Sequence, residues 1–253
     1  MPSVEQNLRV WDQDYVWEKG GDEWNDQAKF CNQPYDEWKQ SLVETYIFPY
    51  IDGQTSSLEI GPGHGRWVEH YVDHVAKATL LDLSPTCIEI CRKRFSGRNN
   101  IEYIVNDGRK LSGIANDSID FVWSYDVFVH VEIPAIRSYF VEFARVVRPG
   151  GILVIHHADQ NPLLLYLKFK LFNKLGRFGK WFNKILCHPK KGWRSFVSRR
   201  IIAECAQTAG LRVLSQTESW GPNDEYNCNL FHDKITVMQN PAPVKEQEEL
   251  QSS

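Results

Sequence analysis

Three histidines stand where a folded chain can do chemistry. His130 lies in SYDVFVHVE (124–132), and His156 and His157 lie side by side in VIHHAD (154–159). An imidazole titrates near neutral pH, so it can take a proton from a reacting group. Side chains alternate along a strand, so His156 and His157 point to opposite faces, and at most one meets a bound reactant directly. A second set of residues suits binding. Gly61, Gly63 and Gly65 follow an apolar run in LEIGPGHGRW (58–67), with Glu59 inside that run. Asp82 ends the next run in LLDLSP (80–85), and Asp107 follows another in VNDG (105–108). Glycines between a strand and a helix leave backbone N–H groups open to a nucleotide-like ligand. Asp82 can accept two ribose hydroxyls, and Asp107 can receive an amino group of adenine. A tight turn would explain the glycines alone, and a helix cap or surface charge would explain any one acid. Three acids at successive strand ends, in one crevice, favour a nucleoside.

These residues need a scaffold that brings strand ends together. Short apolar runs at 57–60, 79–83, 101–105, 119–123 and 152–156 read as strands covered on both faces. Segments of helical length, 64–76, 85–96 and 131–147, separate them. That alternation predicts parallel strands joined by right-handed crossovers. Ser84 followed by Pro85 predicts an N-cap and first turn. RPGG (148–151) ends one helix and turns into the fifth strand. A helix near 198–209 should stop at Gly210, a residue suited to a left-handed C-cap. LRVLSQTES and FHDKITVMQ then read as a closing strand hairpin. Upstream, Tyr35, Trp38, Leu42, Val43, Tyr46 and Ile47 recur at helical spacing, between Pro34 and Pro49.

The loop is not the dinucleotide fingerprint, because residue 66 is Arg where that pattern has glycine, and no Gly-Lys-Ser/Thr marks a P-loop. Taken together, LEIGPGHG, LLDLSP, VNDG and RPGG resemble the class I S-adenosylmethionine-dependent methyltransferases over about residues 35–240. The resemblance implies an α/β, Rossmann-like seven-stranded sheet with its last strand antiparallel and helices on both faces. It implies S-adenosyl-L-methionine as cofactor. Glu59, Gly61, Gly63 and Gly65 would border its methionine and ribose parts, and Asp82 and Leu83 would hold the ribose. Asp107 and Gly108 would sit by the adenine, with Ser124 nearby. The region of the fourth and fifth strands is similar to small-molecule and sugar O-methyltransferases. That likeness implies His157 as general base, with His130 assisting and His156 as the alternative if the register shifts by one. Tyr125, Trp193 and Arg194 would meet the acceptor. The expected activity is methylation of a hydroxyl on a small molecule, such as a sugar or glycan. The alternatives are N-methylation of a small amine and a non-catalytic protein that binds the same cofactor.

The resemblance also orders the chain: an N-terminal lid and helix (1–55), a cofactor-binding half (56–158), a cap insertion (159–197), a C-terminal helix and hairpin (198–240) and a tail (241–253). Net charge is −3, but the stretch from 160 to 200 holds seven Lys and four Arg without one acid, leaving −14 for the rest. Apolar residues interleave with those cations over 163–186, a pattern that fits a solvated cap, an anionic acceptor held through Arg194 and Lys191, or peripheral contact with anionic lipid. Nucleic acid is disfavoured, because the body is acidic and no appended recognition domain is present. The 6 Cys show no Cys-x-x-Cys spacing, which predicts reduced thiols, no metal site and a cytoplasmic setting. The start, MPSVEQNLRVWDQDY, lacks the basic-then-apolar pattern of a signal peptide.

Overall fold

The computed structural model describes residues 3–17, 28, 31–159, 194–228 and 232–242. Expectations for the basic segment at 163–186 and for Trp193 therefore fall outside the described residues. Helix α1 (Val4–Arg9) runs into a π-helical turn (Val10–Asp14), and α2 spans Tyr35–Tyr46. The body then alternates: β1 (Ser56–Ile60), α3 (Val68–Tyr71), β2 (Lys77–Asp82), α4 (Pro85–Arg94), β3 (Ile101–Val105), β4 (Ile119–Ser124), α5 (Ile133–Val146) and β5 (Val147–Ala158). It closes with α6 (Arg199–Ala209), β6 (Arg212–Thr217), the short pair β7 (Ser219–Trp220) and β8 (Tyr226–Asn227), and β9 (Asp233–Gln239).

Seven strands form one sheet in the order β3-β2-β1-β4-β5-β9-β6. Its first five strands are parallel, and β9 lies antiparallel between β5 and β6. Chain order reverses between β1 and β4, and such a switch point opens a crevice at the strands' carboxyl ends. Apolar side chains fill both faces. One layer gathers Trp38, Leu42, Trp67, Tyr71 and Trp123; the other gathers Leu58, Phe128, Ile136, Phe140 and Phe143.

Local signals predicted several boundaries. Ser84 Oγ accepts from Cys87 N at 3.0 Å and caps α4, with Pro85 in the first turn. Gly210 closes α6 at φ +83°. Two expectations shift. The helix after the glycine loop begins at Val68, because Gly61, Gly63 and Gly65 all sit at positive φ and cannot start it. RPGG lies inside β5 as a bulge: Ile119 pairs with Val147, but Phe121 pairs with Ile152, so the β5 side carries extra residues.

Candidate active site

A cavity of about 1030 Å³, open mouth included, occupies the switch point. Its floor is the glycine loop. Gly61 and Gly63 line it at φ +68° and +56°. A Cβ on Gly61 would lie 2.3 Å from Val127 Cγ2, and one on Gly63 would lie 2.9 Å from the Trp17 ring. Gly65 does not line the cavity; its missing Cβ admits Phe95, whose ring would otherwise be 2.5 Å away.

The acids divide. Asp82 lines the cavity and accepts from Ser84 N at 2.8 Å and Gly63 N at 3.2 Å. Burial raises its carboxyl to about 6, although the Ser84 and Gly63 amides oppose that rise. Leu83 and Gly108 line the same end, with Val4 against them. Asp107 lies outside the lining and accepts from Arg109 N and Lys110 N at 2.8 and 2.7 Å, folding the loop that presents Gly108. Glu59 is buried outside the lining and accepts from the Tyr71 hydroxyl at 2.8 Å. Burial drives its carboxyl up to about 8, so it holds its proton at neutral pH. Ser124 is also sealed: its hydroxyl donates to the Ile60 carbonyl at 3.0 Å, tying the tips of β4 and β1.

The histidines divide more sharply. His130 lies in the cavity wall, with its ring 5.0 Å from that of Trp11 and its carbonyl accepting from Asn7 Nδ2 at 2.8 Å. His157 does not reach the cavity. Its Nδ1 donates to the Ala158 carbonyl at 2.8 Å, and its Nε2 accepts from the Thr236 hydroxyl at 2.6 Å. Burial lowers it to about 4, leaving a neutral, fully bonded ring. The expectation that His157 is the base does not fit this placement. β9 pairs with β5 as far as Ala158 opposite Asp233, so the β5 tip is covered on that side. His156 is no better placed for proton abstraction. It is buried under the Tyr125 ring, centroids 4.1 Å apart, between Asp126 and Asp233. Tyr125 itself lines the cavity. Arg194 is outside the lining, ion-paired with the buried carboxylate of Asp233.

A methyltransferase domain family matches residues 58–155, the stretch that carries the glycine loop and the strand-end acids. The chain is 32% identical over 111 residues to the phthiotriol/phenolphthiotriol dimycocerosates methyltransferase of Mycobacterium leprae, covering 42% of this chain and 37% of that one. It is 23% identical over 203 residues to the ubiquinone biosynthesis O-methyltransferase of Coxiella burnetii, covering 75% and 82%. The geranyl diphosphate C-methyltransferase of Streptomyces coelicolor A3(2), solved with Mg2+, geranyl diphosphate and S-adenosyl-L-homocysteine, shares the fold. Its TM-score is 0.61 at 13% identity, covering 94% of this chain and 97% of that one. Residues 58–155 thus carry a methyltransferase domain, on a fold shared with that solved methyltransferase. The chain spans about two fifths of the length of the first curated relatives it matches.

The cavity fits S-adenosylmethionine. Gly61, Gly63 and Gly108 line it at positive φ with no side chain of their own, and Asp82 offers a carboxylate to a vicinal diol. Among the described residues no helix is long and apolar enough to cross a membrane.

The segment before α2, expected within an N-terminal lid, supplies wall residues that the sequence did not single out one by one. Val4, Asn7, Leu8, Trp11 and Trp17 line the cavity, while α2, grouped with the expected lid, contributes nothing to it. Asp12 Oδ1 accepts from Ser84 Oγ at 2.6 Å and Thr86 N at 3.1 Å, and Trp17 stacks on His64 at 4.3 Å. The signal was present, since Val4, Leu8 and Trp11 repeat at helical spacing. Arg66 and Asp126 were also missed as binding residues. Both line the cavity, and they pair at 2.8 Å.

Proposed function

We propose that this chain transfers the methyl group of S-adenosylmethionine to a hydroxyl of an apolar small molecule, with His130 as general base. The bound cofactor supplies an electrophilic methyl for in-line displacement. The chain's own residues must hold the acceptor in line, exclude water and accept its proton. The observation that carries this reading is the position of His130 in the cavity wall while His156 and His157 are sealed. The walls favour an apolar acceptor over the expected sugar: Leu8, Trp11, Val127 and Val131 share the cavity wall with His130. The relation to a ubiquinone biosynthesis O-methyltransferase supports transfer to oxygen. The basic stretch around 163–186 adds a proposed site of contact with an anionic acceptor or lipid surface.

The test is a screen of hydroxylated acceptors with labelled cofactor, using the wild type, His130→Ala and His157→Ala. His130→Ala should lower turnover about 10²- to 10⁴-fold while leaving S-adenosylhomocysteine affinity nearly unchanged. Full turnover in His130→Ala would remove the base assignment. Methylation of amines alone would move the reading to N-transfer. Cofactor binding with no acceptor methylated would favour a binding protein.

A further inference from the structure

An ion pair in the wall of an apolar cavity calls for an explanation. Arg66 and Asp126 sit there with side chains only 8% and 12% exposed. Removing two charges from water costs several kcal/mol per ion, and apolar side chains of similar volume would often serve stability equally well. The pair is nonetheless built in with care. The Arg66 guanidinium lies over the Trp67 ring at 4.7 Å and near the Tyr125 ring at 5.8 Å. Asp126 holds a left-handed backbone, φ +63°, a conformation uncommon for a side-chain-bearing residue.

Behind Asp126 lies His156. Its Nδ1 is 3.2 Å from the Asp126 amide nitrogen and 3.3 Å from Asp126 Oδ1. A neutral ring would accept from the amide; a charged ring donates to the carboxylate. Its Nε2 is 3.5 Å from Asp233 Oδ2, and Asp233 in turn pairs with Arg194. Tyr125 covers the ring, and the Cys228 thiol also faces it. Burial pushes His156 toward the neutral form, but the two aspartates outweigh it and raise the ring well above its usual range. Burial likewise pushes Asp126 up, and His156 and Arg66 together hold it far below the usual carboxylate range. The result is a line of alternating charges, Arg66, Asp126, His156, Asp233 and Arg194, with only its first two members in the cavity lining.

The order of the sheet says what those two members face. Asp82, Leu83 and Gly108 mark the nucleoside end, at the tips of β2 and β3. Arg66 and Asp126 lie across the glycine loop, beside β4. The remaining part of the cofactor is an amino acid, with one ammonium and one carboxylate. A guanidinium and a carboxylate held side by side match that zwitterion group for group. We propose that Arg66 and Asp126 receive the carboxylate and ammonium of the cofactor's amino-acid end, and that His156 is the positioning residue that aims Asp126. This rests on the cofactor assignment and is independent of the acceptor and of His130.

Calorimetry with two ligands tests it. S-adenosylhomocysteine carries the amino-acid end, and 5′-methylthioadenosine lacks it. Arg66→Met should weaken S-adenosylhomocysteine about 10- to 100-fold, and His156→Gln about tenfold, while methylthioadenosine affinity stays within about twofold in both. Equal losses for both ligands, or none for either, would overturn the proposal, since a purely structural role predicts no selectivity. Wild-type protein that binds methylthioadenosine and S-adenosylhomocysteine equally well would overturn it too. Wild-type protein that binds neither would fail the cofactor assignment itself, and the proposal with it. Nitrogen NMR on the wild type needs no variant: the His156 ring signals should shift with S-adenosylhomocysteine and not with methylthioadenosine. The same response to both ligands refutes the aiming role.

Discussion

Acidification should weaken cofactor binding while Asp82 makes the empty fold more stable. Asp82 sits at the end of β2, buried, with its carboxylate taking Ser84 N and Gly63 N. Burial moves it from the ordinary 3.8 to about 6. A ribose diol donates two hydrogen bonds to the ionised group, so binding must remove the proton wherever the free protein holds it. Above about pH 7 that step costs almost nothing. At pH 5 roughly one-tenth of the groups are ionised, so S-adenosylhomocysteine should bind about tenfold more weakly than at pH 8. Stability moves the other way. A carboxyl raised above its unfolded value binds its proton more tightly when folded. Its contribution is therefore present at low pH and lost as pH rises from about 4 to about 6, by about 3 kcal/mol in all. Titration calorimetry from pH 5 to 8, beside urea unfolding of the ligand-free protein, reads both slopes. Asp82→Asn should bind about tenfold or more weakly at pH 8 and show a flat affinity profile. If the wild type has no slope between pH 5 and 7, or if Asp82→Asn keeps the wild-type slope, Asp82 is not the ribose acid.

Other changes isolate single features. Gly61→Ala forces a Cβ at φ +68° and 2.3 Å from Val127. Backbone strain of about 1 kcal/mol and overpacking of about 1–3 kcal/mol should appear in urea unfolding, and Val127→Ala in the same chain should restore only the second part. Glu59→Gln replaces a carboxyl that is already protonated at neutral pH, so it should cost little at pH 6. It should also abolish the wild type's decline of up to about 1.4 kcal/mol per pH unit as pH rises from about 5 toward about 8; unchanged unfolding curves at pH 6 and 9 would contradict this. His157→Ala breaks the bonds to Ala158 and Thr236 and should cost about 1–3 kcal/mol in stability, with turnover per folded molecule retained. Because His157 is lowered from 6.5 to about 4, the wild type's share of stability from it disappears as pH falls through that window, and the variant should lack that loss.

The N-terminal segment explains how a shallow crevice becomes a cavity. Asp12 fastens it to the start of α4, Asn7 to the His130 carbonyl, and Trp17 to His64 beside the glycine loop. It therefore reaches both the Asp82 side and the His130 side of the opening. Val4 closes on Gly108, and Trp17 on Gly63, where only a missing Cβ permits such approach.

The sequence by itself determined what is local. The strand and helix alternation follows from side-chain periodicity, the caps at Ser84 and Gly210 from the hydrogen-bonding and backbone limits of single residues, and Asp82 from its place at a strand end. Tertiary structure decided which polar groups meet the cavity. Alternation showed that His156 and His157 face opposite ways, but their access depended on β9, whose antiparallel pairing carries Asp233 and Thr236 up beside them. In the same way Glu59 and Ser124, a residue or two from lining positions, are turned to Tyr71 and Ile60. Arg66 and Asp126, 60 residues apart, become a pair only where β1 and β4 lie side by side. A strand pattern sets the direction of a side chain; the neighbours that cover it come from distant parts of the chain, and those neighbours decide whether it meets a ligand.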